Sequence, residues 1–237
     1  MVHVNDIRAI TIDLDDTLWE IHPVIHRAER GLYDWLGEKY PRITESFSRE
    51  DIYAQRVAVG DEFPQYGHDY TFMRRKVLGR LGISAGYGDD IVDEAMAVFD
   101  ALRNDVEIFP EVRPALTELR QHYVLVAVTN GNAKLEMIGI NDLFHDIVTA
   151  RTARTAGAAK PSQQIFDAAV SVAGCKPEQT LHVGDHPELD VDGAIAAGLN
   201  AVWVNRKGAA WPEALAKPHG VVTDVGQLPE LLRRSAK

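Results

Sequence analysis

The chain has 237 residues, 46% hydrophobic and 25% charged, enough apolar side chain for one large domain or a domain carrying an insertion. Its formal net charge of −10 opposes general binding to nucleic acid or anionic membrane surfaces, which need a positive field, but it leaves room for a local positive site that takes a small anion. One cysteine, Cys175, fits a reducing compartment; without a signal-peptide pattern or a run near the ~18 apolar residues of a membrane span, a cytoplasmic monomer or homodimer is expected.

Short apolar runs recur along the chain, and most are followed by a helical pattern. The first strand is expected at "RAITIDL" (8–14). From about 19 to about 104 no strand pattern occurs. Helical periodicity instead covers "VIHRAERGLYDWLGEKY" (24–40), "REDIYAQRVAVG" (49–60), "YTFMRRKVLGRLG" (70–82) and "DDIVDEAMAVFDALR" (89–103). Pro41, Pro64, Gly67 and "GISAGYG" punctuate the joins. The alternation then starts: helix 110–122, strand "YVLVAVTN" (123–130), strand "DIVTA" (146–150), helix 162–174 with Ser162 as a cap, strand "TLHVGD" (180–185), a small-residue helix 193–198 ending at Gly198, and strands "AVWVN" (201–205) and "GVVTD" (220–224). Strands apolar almost throughout are covered on both faces. The expected fold is therefore α/β, a doubly wound parallel sheet with a small all-helical cap domain. The core would comprise 1–18 and 105–237, with the cap, 19–104, inserted after the first strand.

In an open α/β sheet, ligands gather beyond the carboxyl ends of the strands. The residues at those ends are Asp13 and Asp15 after the first strand, Thr129 and Asn130 after the second, Lys160 before the helix at 162, and Asp185 with Asp190 after "TLHVG". Acids crowded at one sheet edge require a cation, and a few oxygen ligands with room for water suit Mg2+. Cation and Lys160 together attract phosphate. The Thr129 hydroxyl and the amides of Asn130 and Gly131 would bind its oxygens. Asp13 would then attack phosphorus. Asp15, pointing the same way from the strand end, would protonate the leaving oxygen and later deprotonate water. If Asp15 turns out of the strand direction, its backbone carbonyl also becomes available to the metal. Asp16 is expected only to turn the chain, and Trp19 stands where it would line the site entrance.

These residues resemble the four motifs of the haloacid dehalogenase-like superfamily, in order: "DLDDTLW", Thr129 in "VAVTNGN", Lys160 in "AAKPSQQIF", and Asp185 with Asp190 in "HVGDHPELDVDGAIAAG". The resemblance covers about two thirds of the chain. It implies an Mg2+-dependent phosphohydrolase on a Rossmann-like core with a helical cap. Metal ligands would be the Asp13 carboxylate, the Asp15 backbone carbonyl and Asp185. Asp190 would stand behind them, orienting Lys160 or a water. His186 and Leu189 depart from the small polar residue and Asn frequent at those places, and His186 would bring a charge change near the metal at acidic pH.

The implied substrate is a small phosphorylated metabolite, since a cap excludes bulky partners. "ITIDLDDTLWEIHPVIHRAER" and "LVAVTNGNA" are similar to the branch acting on FMN and on its ribitylaminouracil precursor phosphate. A sugar phosphomutase, or a sugar-phosphate or nucleotide phosphatase, is the alternative within the superfamily. A dehalogenase would need neither Asp15 nor Asp185. A phosphonatase would need an imine-forming cap lysine, for which only Lys39 and Lys76 are present. A phospho-receiver module would not separate Asp13 from Thr129 by far more than one βα unit. The histidines, among them His22, His26 and His68, form no metal-ligand spacing.

Overall fold

In the computed structural model, residues 6–67, 69–152 and 158–234 are described; His68 falls outside them. The chain divides into two compact units, Met1–Glu20 with Glu107–Lys237, and Ile21–Val106.

The first unit is built on six parallel strands: β1 (Ala9–Ile12), β2 (Val124–Thr129), β3 (Asp146–Thr149), β4 (Thr180–Gly184), β5 (Asn200–Val204) and β6 (Gly220–Val222), in the spatial order β3-β2-β1-β4-β5-β6. The six sequence-expected strands are these six. β1 is "AITI" and fully buried; with no solvent face, it needs no alternation of polar residues. It lies where the chain, having run outward through β2 and β3, returns to β4. That reversal opens a crevice at the carboxyl ends of the strands. The register sets Ile12 opposite Ala127 on one side and Val183 on the other, so Asp13 emerges between Val128 and Gly184.

In chain order, the helices are α1 (Ile21–Lys39), α2 (Pro41–Ser46), α3 (Arg49–Glu62), α4 (Tyr70–Ser84), α5 (Ile91–Asn104), α6 (Val112–Leu119), α7 (Leu135–Ile138), α8 (Gln163–Ala173), α9 (Gly193–Ala196) and α10 (Leu228–Arg234). In the sheet unit, α8 packs on β2 and β3, and α9 packs on β5. The α8 stripe Ile165, Phe166, Ala169, Val170 and Ala173 joins Val126, Val128 and Val148 in one core. Each large side chain buried there is worth roughly 1.5–3 kcal/mol. Ser162 occupies the N-cap of α8, yet its side chain makes no capping bond.

The second unit is all helical. α1 packs on α2 and α5, and α4 packs on α3 and α5. The α1 stripe Val24, Ala28, Leu32 and Leu36 is buried at helical spacing. α2 was not anticipated, because Pro41 reads as a break; here Pro41 sits at the helix start, where the missing N–H costs nothing, and Ile43 anchors the helix in the core. α4 runs past Gly82 to Ser84 rather than stopping at it. A Cβ at position 82 would overlap the carbonyl oxygen of Gly88, so this glycine permits a close approach inside a helix rather than ending it.

Candidate active site

The turn after β1 is tight. Asp16 adopts a left-handed conformation, φ 62°, which Asp tolerates better than most residues. Its N–H donates to the Trp19 carbonyl at 2.8 Å. Trp19 is fully buried, and its indole N–H donates to Asp15 Oδ1 at 2.9 Å. Trp19 therefore bears on the site through the Asp15 carboxylate.

Asp13 is anchored by its own N–H, which donates to the Val183 carbonyl at 2.9 Å. Its carboxylate is buried and held on both oxygens. The Lys160 ammonium donates to Oδ1, and the Thr17 hydroxyl donates to Oδ2 at 3.1 Å. Lys160 also donates to Asp190 Oδ1 at 2.6 Å and to the Val128 carbonyl at 3.2 Å. All three of its protons are engaged. Its backbone is clamped too. Asn130 Oδ1 accepts the Lys160 N–H at 2.6 Å, and Asn130 Nδ2 donates to the Lys160 carbonyl at 3.0 Å. The Asn130 side chain is thus spent on placing Lys160. Thr129 is buried at the end of β2, and its hydroxyl oxygen accepts the Gly131 N–H at 2.9 Å.

The loop after β4 enters a π-helical turn, Pro187–Asp192. Such turns re-aim side chains and recur at functional sites. His186 caps this one, its Nδ1 accepting the Leu189 N–H at 3.2 Å. The His186 N–H donates to Asp190 Oδ2 at 2.9 Å. The Trp203 indole holds the Asp185 carbonyl at 2.7 Å.

Asp13, Asp185 and Asp190 each offer an oxygen, all within 4.8 Å of one another. Lys160 supplies one positive charge against these three acids. Burial by itself raises Asp190, but the Lys160 ammonium and His182 outweigh it and hold that carboxyl well below the usual range. Burial keeps Asp13 well above its ordinary value, with Asp190 adding to the effect and Lys160 opposing it. Burial and the negative charges of Asp190 and Asp16 push Asp185 up to about 7. The two acids on Lys160 hold its proton firmly against the cost of burial.

The lysine thus offsets Asp190, whose oxygens are already engaged. Because that single positive charge is shared between Asp13 and Asp190, the three acids together remain two negative charges out of balance at one sheet edge. Hard oxygen donors and a deficit of two charges fit a small divalent cation such as Mg2+.

Sequence reasoning passed over three members of this network: Thr17, the Asn130 side chain and His182. Thr17 stands in "DLDDTLW". His182 interrupts an otherwise apolar strand, and that interruption was its only signal. His22 and His26, by contrast, pair with each other on α1.

A family model for haloacid dehalogenase-like hydrolases matches residues 7–198. The chain belongs to that family. Among curated relatives of this hydrolase is the 5-amino-6-(5-phospho-D-ribitylamino)uracil phosphatase YigB of Escherichia coli, 31% identical over 95% of this chain and 96% of that protein. Another is a glyceraldehyde 3-phosphate phosphatase of Methanopyrus kandleri, 30% identical over 84% of each chain. Among solved structures, a protein described as a 2-haloacid dehalogenase from Pseudomonas syringae pv. Tomato superposes with a TM-score of 0.89 at 38% identity, covering 96% of this chain and 99% of that one. Like these curated relatives, which are named for small phosphorylated metabolites, this haloacid dehalogenase-like hydrolase is a phosphatase. No described helix is long and apolar enough to cross a membrane.

Proposed function

We propose that this phosphatase works through an aspartyl-phosphate on Asp13, depends on Mg2+, and takes FMN or a riboflavin-pathway phosphate as its substrate. One observation carries the mechanism: Asp13 is held between Lys160 and Thr17, with Asp185 within 4.8 Å. Both hydrogen bonds aim the carboxylate, and neither consumes the lone pairs of the Asp13 oxygens completely.

In the first half-reaction an Asp13 oxygen bonds to phosphorus as the bond to the leaving oxygen breaks, and Asp15 gives that oxygen its proton. In the second, Asp15 takes a proton from water. The water oxygen bonds to phosphorus, the Asp13–phosphorus bond breaks, and inorganic phosphate leaves with Asp13 restored. Trp19 steadies Asp15 for both transfers through Oδ1. The Thr129 hydroxyl, already accepting from Gly131, has its own proton for a phosphoryl oxygen. Lys160 neutralises charge developing on the phosphoryl group. The Asp13 and Asp185 carboxylates and the Asp15 backbone carbonyl would hold Mg2+, which when bound supplies further charge neutralisation of the phosphoryl oxygens.

The substrate reading rests on the ribitylaminouracil phosphate named for YigB and on the likeness of the stretches around Asp13 and Thr129 to that branch. Displacement at carbon, as named for the Pseudomonas structure, requires neither a cation nor a leaving-group acid. The charge deficit at Asp13 and Asp185 and the steadied Asp15 are therefore better explained by phosphoryl transfer. Imine chemistry fits poorly at Lys39, because its hydrogen bond to Glu94 holds its proton more tightly, the opposite of an activated amine.

The test is phosphate release across a panel of FMN, sugar phosphates, nucleotides and p-nitrophenyl phosphate, with halide release from 2-haloacids alongside. Mg2+-dependent phosphate release is expected, lost in Asp13→Asn and in EDTA. Full activity in either case rules out the mechanism, and FMN ranking among the poorest substrates rules out the substrate assignment.

A further inference from the structure

His182 sits in the middle of β4 and is fully buried. An imidazole inside an apolar sheet is costly unless both nitrogens are engaged. Here both are. Its register partner on β1 is Thr11, also fully buried, and Thr11 Oγ1 lies 2.8 Å from His182 Nδ1. On the other side, His182 Nε2 lies 3.2 Å from Asp190 Oδ1. The ring stands edge-on to Phe166, centroids 5.1 Å apart, so it has little room to turn.

The chemistry of these partners assigns the protons. An ionised carboxylate only accepts, so Nε2 carries the hydrogen towards Asp190. Burial, with Lys160 close by, favours the uncharged ring, so Nδ1 is the acceptor. The Thr11 hydroxyl then donates to it. Asp190 thereby fixes the tautomer, and the Thr11 hydroxyl satisfies the remaining ring nitrogen and holds the ring in place.

Asp190 Oδ1 is shared between His182 and Lys160. Without the imidazole, Lys160 alone would locate that oxygen, and the lysine would in turn lose a fixed point from which to reach Asp13. A neutral donor suits this place. It pins the carboxylate without cancelling the charge that Lys160 needs.

We propose that His182, anchored at Nδ1 by Thr11, is a positioning residue of the phosphatase site. It acts through Asp190 and Lys160 on Asp13, so a polar file passes from Thr11 on β1 to His182 on β4 and back to the nucleophile at the end of β1. This rests on the reading of Asp13 and Lys160 as the groups that meet the phosphoryl group.

The experiment compares His182→Leu, His182→Gln and Thr11→Val with wild type and Asp13→Asn, using p-nitrophenyl phosphate. In His182→Leu, kcat should fall at least tenfold, with KM changed less than threefold. His182→Gln, whose amide N–H sits near the place of Nε2, should recover most of that loss. In Thr11→Val, Nδ1 loses its donor, so 15N-histidine spectra should show a shifted Nδ1 resonance, together with a fall in kcat. A folded His182→Leu with kcat within twofold of wild type overturns the proposal. Should that variant fail to fold, Thr11→Val decides: unchanged kcat overturns the proposal, and a shifted Nδ1 resonance with lowered kcat supports it. Failure of the underlying reading looks different, since wild type and Asp13→Asn would then release phosphate alike or not at all.

Discussion

Replacing Gly184 by alanine tests how closely the site is built. Gly184 ends β4 directly beneath Asp190. A Cβ there would lie 2.7 Å from Asp190 Cβ and would overlap its Cγ and Oδ2. Ordinary carbon–carbon contact begins near 3.5 Å, and Cγ would stand closer than Cβ, so the aspartate must retreat by more than about 0.8 Å or the strand must bend. The bond from Lys160 to Asp190 spans 2.6 Å and that from His182 spans 3.2 Å. A retreat of that size breaks the second and stretches the first beyond good geometry. Overpacking costs about 1–3 kcal/mol, and weakening a hydrogen bond to a buried charge costs about 1.5–3 kcal/mol. A total of about 2.5–6 kcal/mol lowers Tm by roughly 5–24 °C for a chain of this length. Because Lys160 is displaced from Asp13, kcat should fall at least tenfold. Thermal unfolding and steady-state phosphate release measure both. A Gly184→Ala protein with Tm within 2 °C of wild type and kcat within twofold refutes the account of the Asp190 anchor.

Two further outcomes follow from the same geometry. Asp185 is pushed up to about 7 and Asp13 is raised as well, so protons compete with Mg2+ for both carboxylates. Raised acid pKa values mean that the folded, metal-free protein binds more protons than the unfolded chain between about 4 and 7. Those groups therefore subtract stability as pH rises through that window, and Mg2+ should restore it. Mg2+ affinity by calorimetry should fall about tenfold or more per pH unit below 7 and level off above it; a flat profile from pH 5 to 8 contradicts the charge deficit at the site. Trp19→Phe keeps the ring in its buried place but removes the N–H that holds Asp15 at 2.9 Å. The expected result is a kcat lowered several-fold to tenfold with phenyl-type leaving groups affected less than alkyl ones, because a poor leaving group needs the acid more; equal losses for both would leave Asp15 without its assigned role.

The strands were readable because a parallel sheet covered on both faces writes itself as short continuous apolar runs, and "AITI" is such a run. The acids at their ends were readable for the opposite reason: buried carboxylates such as Asp13 are rare enough to demand an explanation. α2 and the end of α4 were not, since Pro41 and Gly82 carry the same local signal whether they stop a helix or permit one. Pro41 needs only an N-terminal place, and Gly82 needs the Gly88 carbonyl from further along the chain.

Local composition determined which residue types could do phosphoryl chemistry and the strand ends from which they emerge. Tertiary structure alone decided the division of charge among them. Lys160 reaches Asp13 and Asp190 across the sheet, Asn130 locks the lysine backbone from the end of β2, and Thr11 meets His182 only because β1 and β4 are neighbours in register. Burial and distance set the pKa values and proton positions, and both come from residues brought together over many tens of positions in the chain.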